Sequence, residues 1–300
     1  MRRTWIVGAT AALALAMSAC SSSPSSTGSS DATTGASASA TAEEPAGWST
    51  GDPNAIAAIG HSGVTGYNSD NADLTRDARE NSWATGTNPE VNSLYARLLA
   101  RNPAIQDHNR NVAEDGTDVY ALRGQIDTLL ASDPKPDLVV VTSVDNDIRC
   151  DGSDPQNYDA FGAELTDALR ALADGAPQAR IFLVSQWATV QAYTDAVKDD
   201  PVWREDQAGD GPCDIFDVTR VPQPARIAYL QDIVDHYHAQ LAASCAQIPT
   251  CRYDQGAMQR MTVVPADLTS DGSHLSVQGH RKHAELTWAA LQEAGLVEPG

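Results

Sequence analysis

Positive charge is scarce in this chain of 300 residues, because 20 lysines and arginines face 40 aspartates and glutamates, and the formal net charge is −20. An acidic surface of this kind repels nucleic acid and anionic lipid headgroups. Internal repeats and coiled-coil heptads are also missing from the sequence, which argues against a structural protein. We therefore expect no nucleic-acid partner and no strongly anionic substrate.

Long hydrophobic runs are missing as well, apart from a short one near the N-terminus. Two arginines at residues 2–3 precede an apolar stretch at residues 5–15, and Met-Ser-Ala-Cys follows at residues 17–20. The stretch is too short to span a bilayer, and the pattern predicts a signal peptide. It resembles a bacterial lipobox, which implies that Cys20 is diacylated and becomes the first mature residue. An ordinary secretory signal, with Cys20 discarded or left free, is the alternative.

The rest of the chain divides by composition into two parts. Residues 20–48 are rich in serine, threonine, alanine and glycine, and such a tract cannot bury a core and serves as a flexible tether. About 250 residues are left, a suitable length for one α/β domain. We therefore predict a signal peptide at 1–19, a tether at 20–48 and a domain at 49–300.

Apolar patches in this domain alternate between the period of a strand and the period of a helix. The strand candidates are residues 55–59, 105–112, 138–142, 181–185 and 261–264. The helix candidates are residues 89–101, 119–131, 157–173, 224–243 and 278–294. This order predicts an α/β fold with a parallel sheet covered on both faces and a site at the carboxyl ends of the strands.

Two short motifs near opposite ends of the domain carry the chemistry of a serine hydrolase. They are Gly-His-Ser-Gly at residues 60–63 and Asp-Gly-Ser-His at residues 271–274. A serine hydroxyl needs an imidazole to take its proton, and that imidazole needs a carboxylate to orient it. Asp271 and His274 lie side by side if their segment is the first turn of a helix. The alternative is an N-cap aspartate that starts the last helix, with a surface histidine behind it.

Two loops after strand candidates offer donors for the oxyanion of an acyl-transfer reaction. Asn146 follows the strand at 138–142, and Gly116 follows the candidate at 105–112. The backbone N–H groups of Ser62 and Gly116, with the side-chain amide of Asn146, make a complete set of three donors.

These blocks together resemble the SGNH, or GDSL-type, hydrolase family, in which Ser, Gly, Asn and His occur in this order. They match Ser62, Gly116, Asn146 and His274, with Asp271 in the family's D-x-x-H position. The resemblance covers roughly residues 54–294 and implies a three-layer α/β/α fold with a parallel, flavodoxin-like central sheet. It also implies a carboxylic ester hydrolase with an acyl-enzyme on the serine and no metal or organic cofactor.

Two residues depart from the family pattern. His61 replaces the aspartate before the serine, and Val144 replaces the glycine of the Gly-x-Asn-Asp block. Neither change removes a catalytic atom. We expect His61 to alter how the nucleophile loop is braced, and Val144 to change the backbone angle that directs the Asn146 side chain. An α/β-hydrolase is the rival scaffold, and Val64 occupies the position of its second glycine in G-x-S-x-G.

The cysteines and the other histidines complete the inventory. If Cys20 is the lipid anchor, an even number remains for an oxidising compartment: Cys150, Cys213, Cys245 and Cys251. We favour a disulfide between Cys245 and Cys251 because they are close in the sequence, which leaves Cys150 to pair with Cys213. The second disulfide would attach the acidic segment 195–217 beside the cleft as a wall or lid. His280 and His283 are expected on the surface of the last helix, and no cluster completes a metal site. For His61, the roles of loop hydrogen bonder, substrate contact and modulator stay open.

The sequence therefore predicts a monomeric serine esterase anchored through Cys20 to the extracytoplasmic face of a bacterial envelope, or alternatively secreted. The family's substrates include short-chain acyl esters, lipids and acetylated sugars, and nothing in the chain selects among these small-molecule, lipid and acylated-glycan esters. The alternative function is a ligand-binding lipoprotein on a degenerate scaffold. A pure binder has no need of Ser, His and Asp in these positions, which favours the enzyme.

The lipid anchor gives a first testable prediction. Mass spectrometry of the mature protein should find acyl chains on an N-terminal Cys20, because the lipobox directs both lipidation and cleavage. Cys20→Ala should release the protein from membranes or block its maturation, whereas Ser21→Ala should leave it attached. An unmodified N-terminus beyond Cys20 would contradict the anchor.

Overall fold

The computed structural model describes residues 51–70 and 72–299. The predicted signal peptide, Cys20 and the tether up to residue 48 lie outside the described residues, so their boundaries stay predictions. Within the described ranges, no helix has the length and apolar character needed to cross a bilayer.

Five parallel strands form the central sheet. They are β1 Ile56–Ile59, β2 Asn109–Asn111, β3 Leu138–Thr142, β4 Arg180–Val184 and β5 Cys251–Tyr253. The strand order is β2-β1-β3-β4-β5, and every neighbouring pair is parallel. This is the flavodoxin-like order, in which the crevice lies at the carboxyl ends of the strands. The sequence predicted an α/β fold with a parallel sheet, and this fold class is confirmed. The crevice at the carboxyl ends of the strands is where the sequence predicted the site.

Helices cover both faces of the sheet. They are α1 Ser62–Thr65, α2 Leu94–Arg101, α3 Leu122–Leu130, α4 Asp154–Gly175, α5 Val190–Val197, α6 Pro201–Asp206, α7 Pro224–Cys245 and α8 Val277–Glu293. In β3, Val139 and Val141 share a core with α3, α4 and α7, whereas Leu138 and Val140 share another core with α2 and α8. Successive side chains of a strand point to opposite faces. A strand covered on both faces must therefore be apolar throughout, as β1 and β3 are.

The strand predicted at residues 261–264 is wrong, and the fifth strand is Cys251–Tyr253. The disulfide between Cys245 and Cys251 ties the end of α7 to the start of β5, and β5 pairs with β4. Met261 and Val263 instead fill a third core cluster, beside residues of α5 and α7. The Cys-Arg-Tyr sequence is too short and polar to be recognised as a strand without these neighbours.

Two further differences lie at element boundaries. The candidate strand at 105–112 shrinks to Asn109–Asn111, because Ile105 ends a 3₁₀ turn. The helix predicted from residue 89 begins only at Leu94, after Asn92 in a left-handed conformation (φ 51°) and a Ser93 side-chain cap. The sequence prediction also missed the short helices α1, α5 and α6.

Both predicted disulfides are present. Cys150 bonds Cys213 with an S–S distance of 2.06 Å, and Cys245 bonds Cys251 with an S–S distance of 1.96 Å. The first joins the loop after β3 to the segment after α6, and the second joins α7 to β5. The loop that carries Asn146 is therefore covalently linked to the acidic segment 195–217.

Candidate active site

The loop that carries Ser62 is held tightly at the end of β1. Gly60 has φ +128°, and a Cβ there would lie 2.2 Å from the carbonyl oxygen of Thr142, so only glycine fits. Its N–H donates to Gln125 Oε1 (2.7 Å), and its carbonyl accepts from Gln125 Nε2 (2.9 Å). The chain then enters the short helix α1, which begins at Ser62.

His61 is the N-cap of α1. Its Nδ1 accepts a hydrogen bond from the Gly63 N–H (3.1 Å), its ring is buried, and Nδ1 lies 3.7 Å from Asp145 Oδ2. Aspartate is a common N-cap residue because its oxygen accepts such a bond, and an unprotonated imidazole nitrogen can accept it in the same way. Of the three roles open for His61, the structure shows the loop hydrogen bonder.

Ser62, His274 and Asp271 form a continuous chain of hydrogen bonds. Ser62 Oγ lies 3.0 Å from His274 Nε2, and His274 Nδ1 lies 2.8 Å from Asp271 Oδ2. Because Nδ1 faces a carboxylate, it carries the proton, which leaves Nε2 free to accept from the serine hydroxyl. The structure thus brings together the three side chains that the two motifs contain.

The segment of Asp271 and His274 is a turn, so it is neither the first turn of a helix nor a helix that begins with Asp271 as its N-cap. The last helix α8 starts at Val277, and its N-cap is Ser276. Asp271 Oδ1 accepts from the backbone N–H groups of Ser273 (2.8 Å) and His274 (3.0 Å). An aspartate that bonds to its own following backbone is a common turn former. This local turn, and not a helix, puts the carboxylate beside the imidazole.

Asp271 is held in its ionised form. Burial raises the pKa of Asp271, but hydrogen bonds from His274, the Ser273 N–H, Thr269 and Asn68 outweigh burial and hold it well below its usual range. A carboxylate that accepts several hydrogen bonds is stabilised as an anion. Asp271 is therefore charged at neutral pH.

Asn146 and Gly116 sit on adjacent loops. Asn146 is exposed in the loop after β3, and its Nδ2 donates to the carbonyl of Thr117 (2.8 Å). Gly116 precedes that residue, is exposed, and has φ +72°. Asn146 lines the same cavity as Ser62 and His274, whereas Gly116 lies outside the cavity lining. The structure thus brings Asn146 to the site and leaves Gly116 beside it.

Val144 adopts the backbone conformation that the family's glycine would favour. Its φ is +124°, which is strained for a β-branched residue, and such strain costs on the order of 1–3 kcal/mol. The side chain is fully buried, and the Val144 carbonyl accepts from the Asp147 N–H (2.8 Å). With valine at this position, the loop still places Asn146 in the lining of the cavity that contains Ser62 and His274.

A cavity of about 490 Å³ opens at Ser62 and His274. One part of its lining is polar and includes Asp145, Asn146 and Gln186. The other part is apolar and comes from the loop after β3, the region around α5, α7 and the turn before α8: Ile148, Trp187, Val190, Tyr193, Leu230, Val234 and Leu275. Cys150 and Cys213 also line it, so the disulfide and the segment after α6 form part of the wall.

The histidines of α8 are buried, so the expectation of surface residues is wrong. His280 lines the cavity, and burial lowers its pKa to about 3, with a smaller contribution from His274. Burial likewise lowers the pKa of His283 to about 3, and its ring stacks on Trp83 at 4.1 Å. Both imidazoles are therefore neutral. Among the described residues, no group of three or more His, Cys, Asp and Glu side chains is placed to hold a metal ion.

Sequence reasoning missed three residues that hold the acid and the base. Thr269 Oγ1 and Asn68 Nδ2 donate to Asp271, and the ring of Tyr67 lies 4.8 Å from that of His274. Tyr67 and Asn68 come soon after the helix that carries Ser62. This position in the chain was the one signal in the sequence that they belong to the site.

A model of the GDSL-like Lipase/Acylhydrolase family matches residues 58–282. The chain belongs to this family. With the parallel fold described above, it is a carboxylic ester hydrolase. No curated protein matches the chain significantly in sequence.

The chain is similar to several solved structures. A protein of the GDSL-like lipase type from Parabacteroides merdae is 15% identical, with a TM-score of 0.50 over 82% of this chain and 98% of that one. TesA is 13% identical, with a TM-score of 0.47 over 80% and 98%. Axe2, an acetylxylan esterase from Geobacillus stearothermophilus, is 17% identical, with a TM-score of 0.44 over 80% and 95%. At 15% identity, the likeness to the Parabacteroides merdae protein concerns the fold alone.

Asp147, next to Asn146, yields a prediction about pH and stability. Burial raises its pKa to about 6, against the weaker effects of hydrogen bonds from the Val119 N–H and Ser143. The unfolded carboxyl titrates near 3.9. The folded state therefore holds the proton more tightly, and the stability that this gives below pH 4 is lost as pH rises through 6.

Asp147→Asn should therefore raise the free energy of unfolding at pH 7–8 by about 3 kcal/mol, because the amide keeps both contacts without a buried charge. Urea unfolding of both proteins at pH 4, 6 and 8 measures this difference, which should vanish near pH 4. The same difference at all three pH values would contradict the assignment.

Proposed function

We propose that Ser62 is the nucleophile of ester hydrolysis, with His274 as general base and Asp271 as the group that orients the imidazole. The observation that carries this proposal is the chain of hydrogen bonds at 3.0 and 2.8 Å, which ends at a cavity large enough for a small ester. Because Nδ1 of His274 is occupied by Asp271, Nε2 is the nitrogen that takes the serine proton.

The reaction proceeds in two halves on these residues. Ser62 Oγ attacks the acyl carbonyl while His274 Nε2 accepts the hydroxyl proton, and the tetrahedral intermediate collapses as His274 returns the proton to the leaving alcohol. A water molecule then gives its proton to His274, attacks the acyl-enzyme and releases the acid with Ser62 restored. Asp271 stays ionised throughout and stabilises the imidazolium.

We assign the oxyanion to three donors. The Ser62 N–H is unused by the helix it begins. The Asn146 amide has two N–H groups and uses one on Thr117, which leaves the second for the oxyanion. The Gly116 N–H has no acceptor within the described residues and belongs to the loop that Asn146 contacts. Gly116 lies outside the cavity lining, unlike the other two donors, so its loop has to approach the substrate.

We assign the apolar part of the cavity to the acyl group of the substrate. Its aliphatic and aromatic lining favours an uncharged acyl chain over a charged acid, and the acidic chain disfavours anionic substrates. Short-chain acyl esters, lipids and acetylated sugars all have such a group. For the enzyme's location we propose attachment through Cys20 to the extracytoplasmic face of the envelope, as a monomer. The two disulfides support an oxidising compartment.

Single substitutions test the catalytic roles. Ser62→Ala and His274→Ala should each abolish hydrolysis of an activated short-chain ester while the protein stays folded. Asn146→Ala should lower kcat about 10²–10³-fold, because one oxyanion donor is lost. Ser153→Ala, a serine outside the cavity, is the matched control and should retain full activity.

Near-normal turnover in Ser62→Ala would refute the mechanism. If the unmutated, folded protein hydrolyses no ester in a screen of acyl chain lengths and acetylated glycans, the ligand-binding lipoprotein becomes the better account.

A further inference from the structure

Asp271 Oδ2 accepts hydrogen bonds from two different side chains. His274 Nδ1 lies 2.8 Å from this oxygen, and Asn68 Nδ2 lies 2.5 Å from it. The orientation of the Asn68 amide is fixed, because the atom that faces a carboxylate must be the donor; the same Nδ2 also lies 3.3 Å from Thr269 Oγ1. The orienting acid therefore shares one oxygen between the imidazole and a second side chain.

We propose that Asn68 is a positioning residue for the base: its amide shares Asp271 Oδ2 with His274 and thereby sets both the orientation of the imidazole and the strength with which it holds a proton. The inference rests on the proposed roles of Ser62 and His274, but its physical basis can be measured without any turnover.

The chain delivers Asn68 to this place directly from the nucleophile. Helix α1 ends at Thr65, Gly66 turns the backbone with φ +75°, and Tyr67 packs its ring 4.8 Å from the ring of His274. Asn68 follows with φ 58°, a left-handed conformation that asparagine tolerates better than most residues. One loop therefore carries the serine and, within six residues, contacts both the imidazole and the carboxylate.

Hydrogen bonds of Asn68 and Ser69 that do not involve the catalytic residues also hold this loop in place. The Asn68 N–H donates to the carbonyl of Arg76 (3.1 Å), and Ser69 Oγ donates to the carbonyl of Gly66 (2.6 Å). Asn81 Nδ2 in turn donates to Ser69 Oγ (3.0 Å). Asn68 and Ser69 are both buried. The amide is thus held in place by its own backbone and not by Asp271 alone, as a positioning residue requires.

The charge on Asp271 explains the second part of the proposal. Each donor to a carboxylate stabilises its negative charge and leaves less of that charge to stabilise a neighbouring imidazolium. Asn68 therefore favours the neutral imidazole that accepts the serine proton. Without this donor, His274 should become protonated at a higher pH, and the acid side of the activity profile should move upward.

Two other titratable groups near this pair have strongly shifted pKa values. Burial lowers the pKa of His280 to about 3 and raises the pKa of Tyr193 to about 12. Asp206 adds a charge near Tyr193. On the far side of Ser62, His61 faces Asp145; both are the same in every variant compared, so a difference between variants does not come from them.

Asn68→Gly removes the donor and keeps the left-handed backbone, and Asn68→Asp keeps the shape but replaces the donor by a second carboxylate. We expect the acid midpoint of kcat/KM to rise by about half a pH unit or more in the first variant and by more in the second. Plateau kcat should fall about tenfold as the imidazole loses its alignment. Asn92→Gly is the matched control, because Asn92 also has a positive φ (51°) but is exposed and outside the site; its profile should equal that of the unmutated protein.

Nuclear magnetic resonance titration of ¹⁵N-labelled histidine gives the decisive reading, with Ser62→Ala as the background and the His274 signal assigned through His274→Gln. The His274 midpoint should rise when either Asn68 variant is added. An unchanged midpoint in the folded Asn68→Gly and Asn68→Asp proteins overturns this inference, even if activity falls. Retained turnover in Ser62→Ala overturns the proposed function instead, so the two failures are distinguishable.

Discussion

The contact of 3.0 Å between Ser62 Oγ and His274 Nε2 joins loops that are 212 residues apart in the chain, and the rest of the architecture is arranged around it. In a parallel sheet all strands end at one edge, so β1 and β3 deliver Ser62 and Asn146 to the same crevice. His274 lies in the turn before α8. Asp271, whose carboxylate orients the imidazole, lies three residues earlier in the same turn. The three-layer core fixes the strands, and short loops with few degrees of freedom fix the side chains.

The two departures from the family pattern preserve geometry by other means. His61 caps the nucleophile helix through Nδ1, in the way an aspartate oxygen would, and Val144 accepts a strained positive φ at a position suited to glycine. In this structure Ser62, His274 and Asn146 all line the same cavity. The structure therefore gives no physical reason to regard the scaffold as degenerate.

The sequence could predict those parts of the molecule that local patterns determine. The apolar run of β3 and the apolar stripe of α7 indicate directly that these elements are buried. The short motifs that contain Ser62, Asn146 and His274 follow a strand or precede a helix. β5 could not be predicted, because its three residues become a strand only through pairing with β4 and the disulfide at Cys251. Asn68 and His280 could not be assigned either. Asn68 acquires its role from a carboxylate 203 residues away, and nothing beside His280 in the sequence signals that its helix face is buried.

The most direct test of the account is the reactivity of Ser62 toward a fluorophosphonate. An ordinary serine stays protonated and inert, whereas a serine that is deprotonated by an imidazole and faces an oxyanion hole reacts with the electrophilic phosphorus. The intact, folded protein with its disulfides oxidised should be labelled at Ser62 alone, and heat denaturation should prevent labelling. Absence of label from the native protein, or label spread over several serines, would contradict the claim that Ser62, His274 and Asp271 form a working nucleophile.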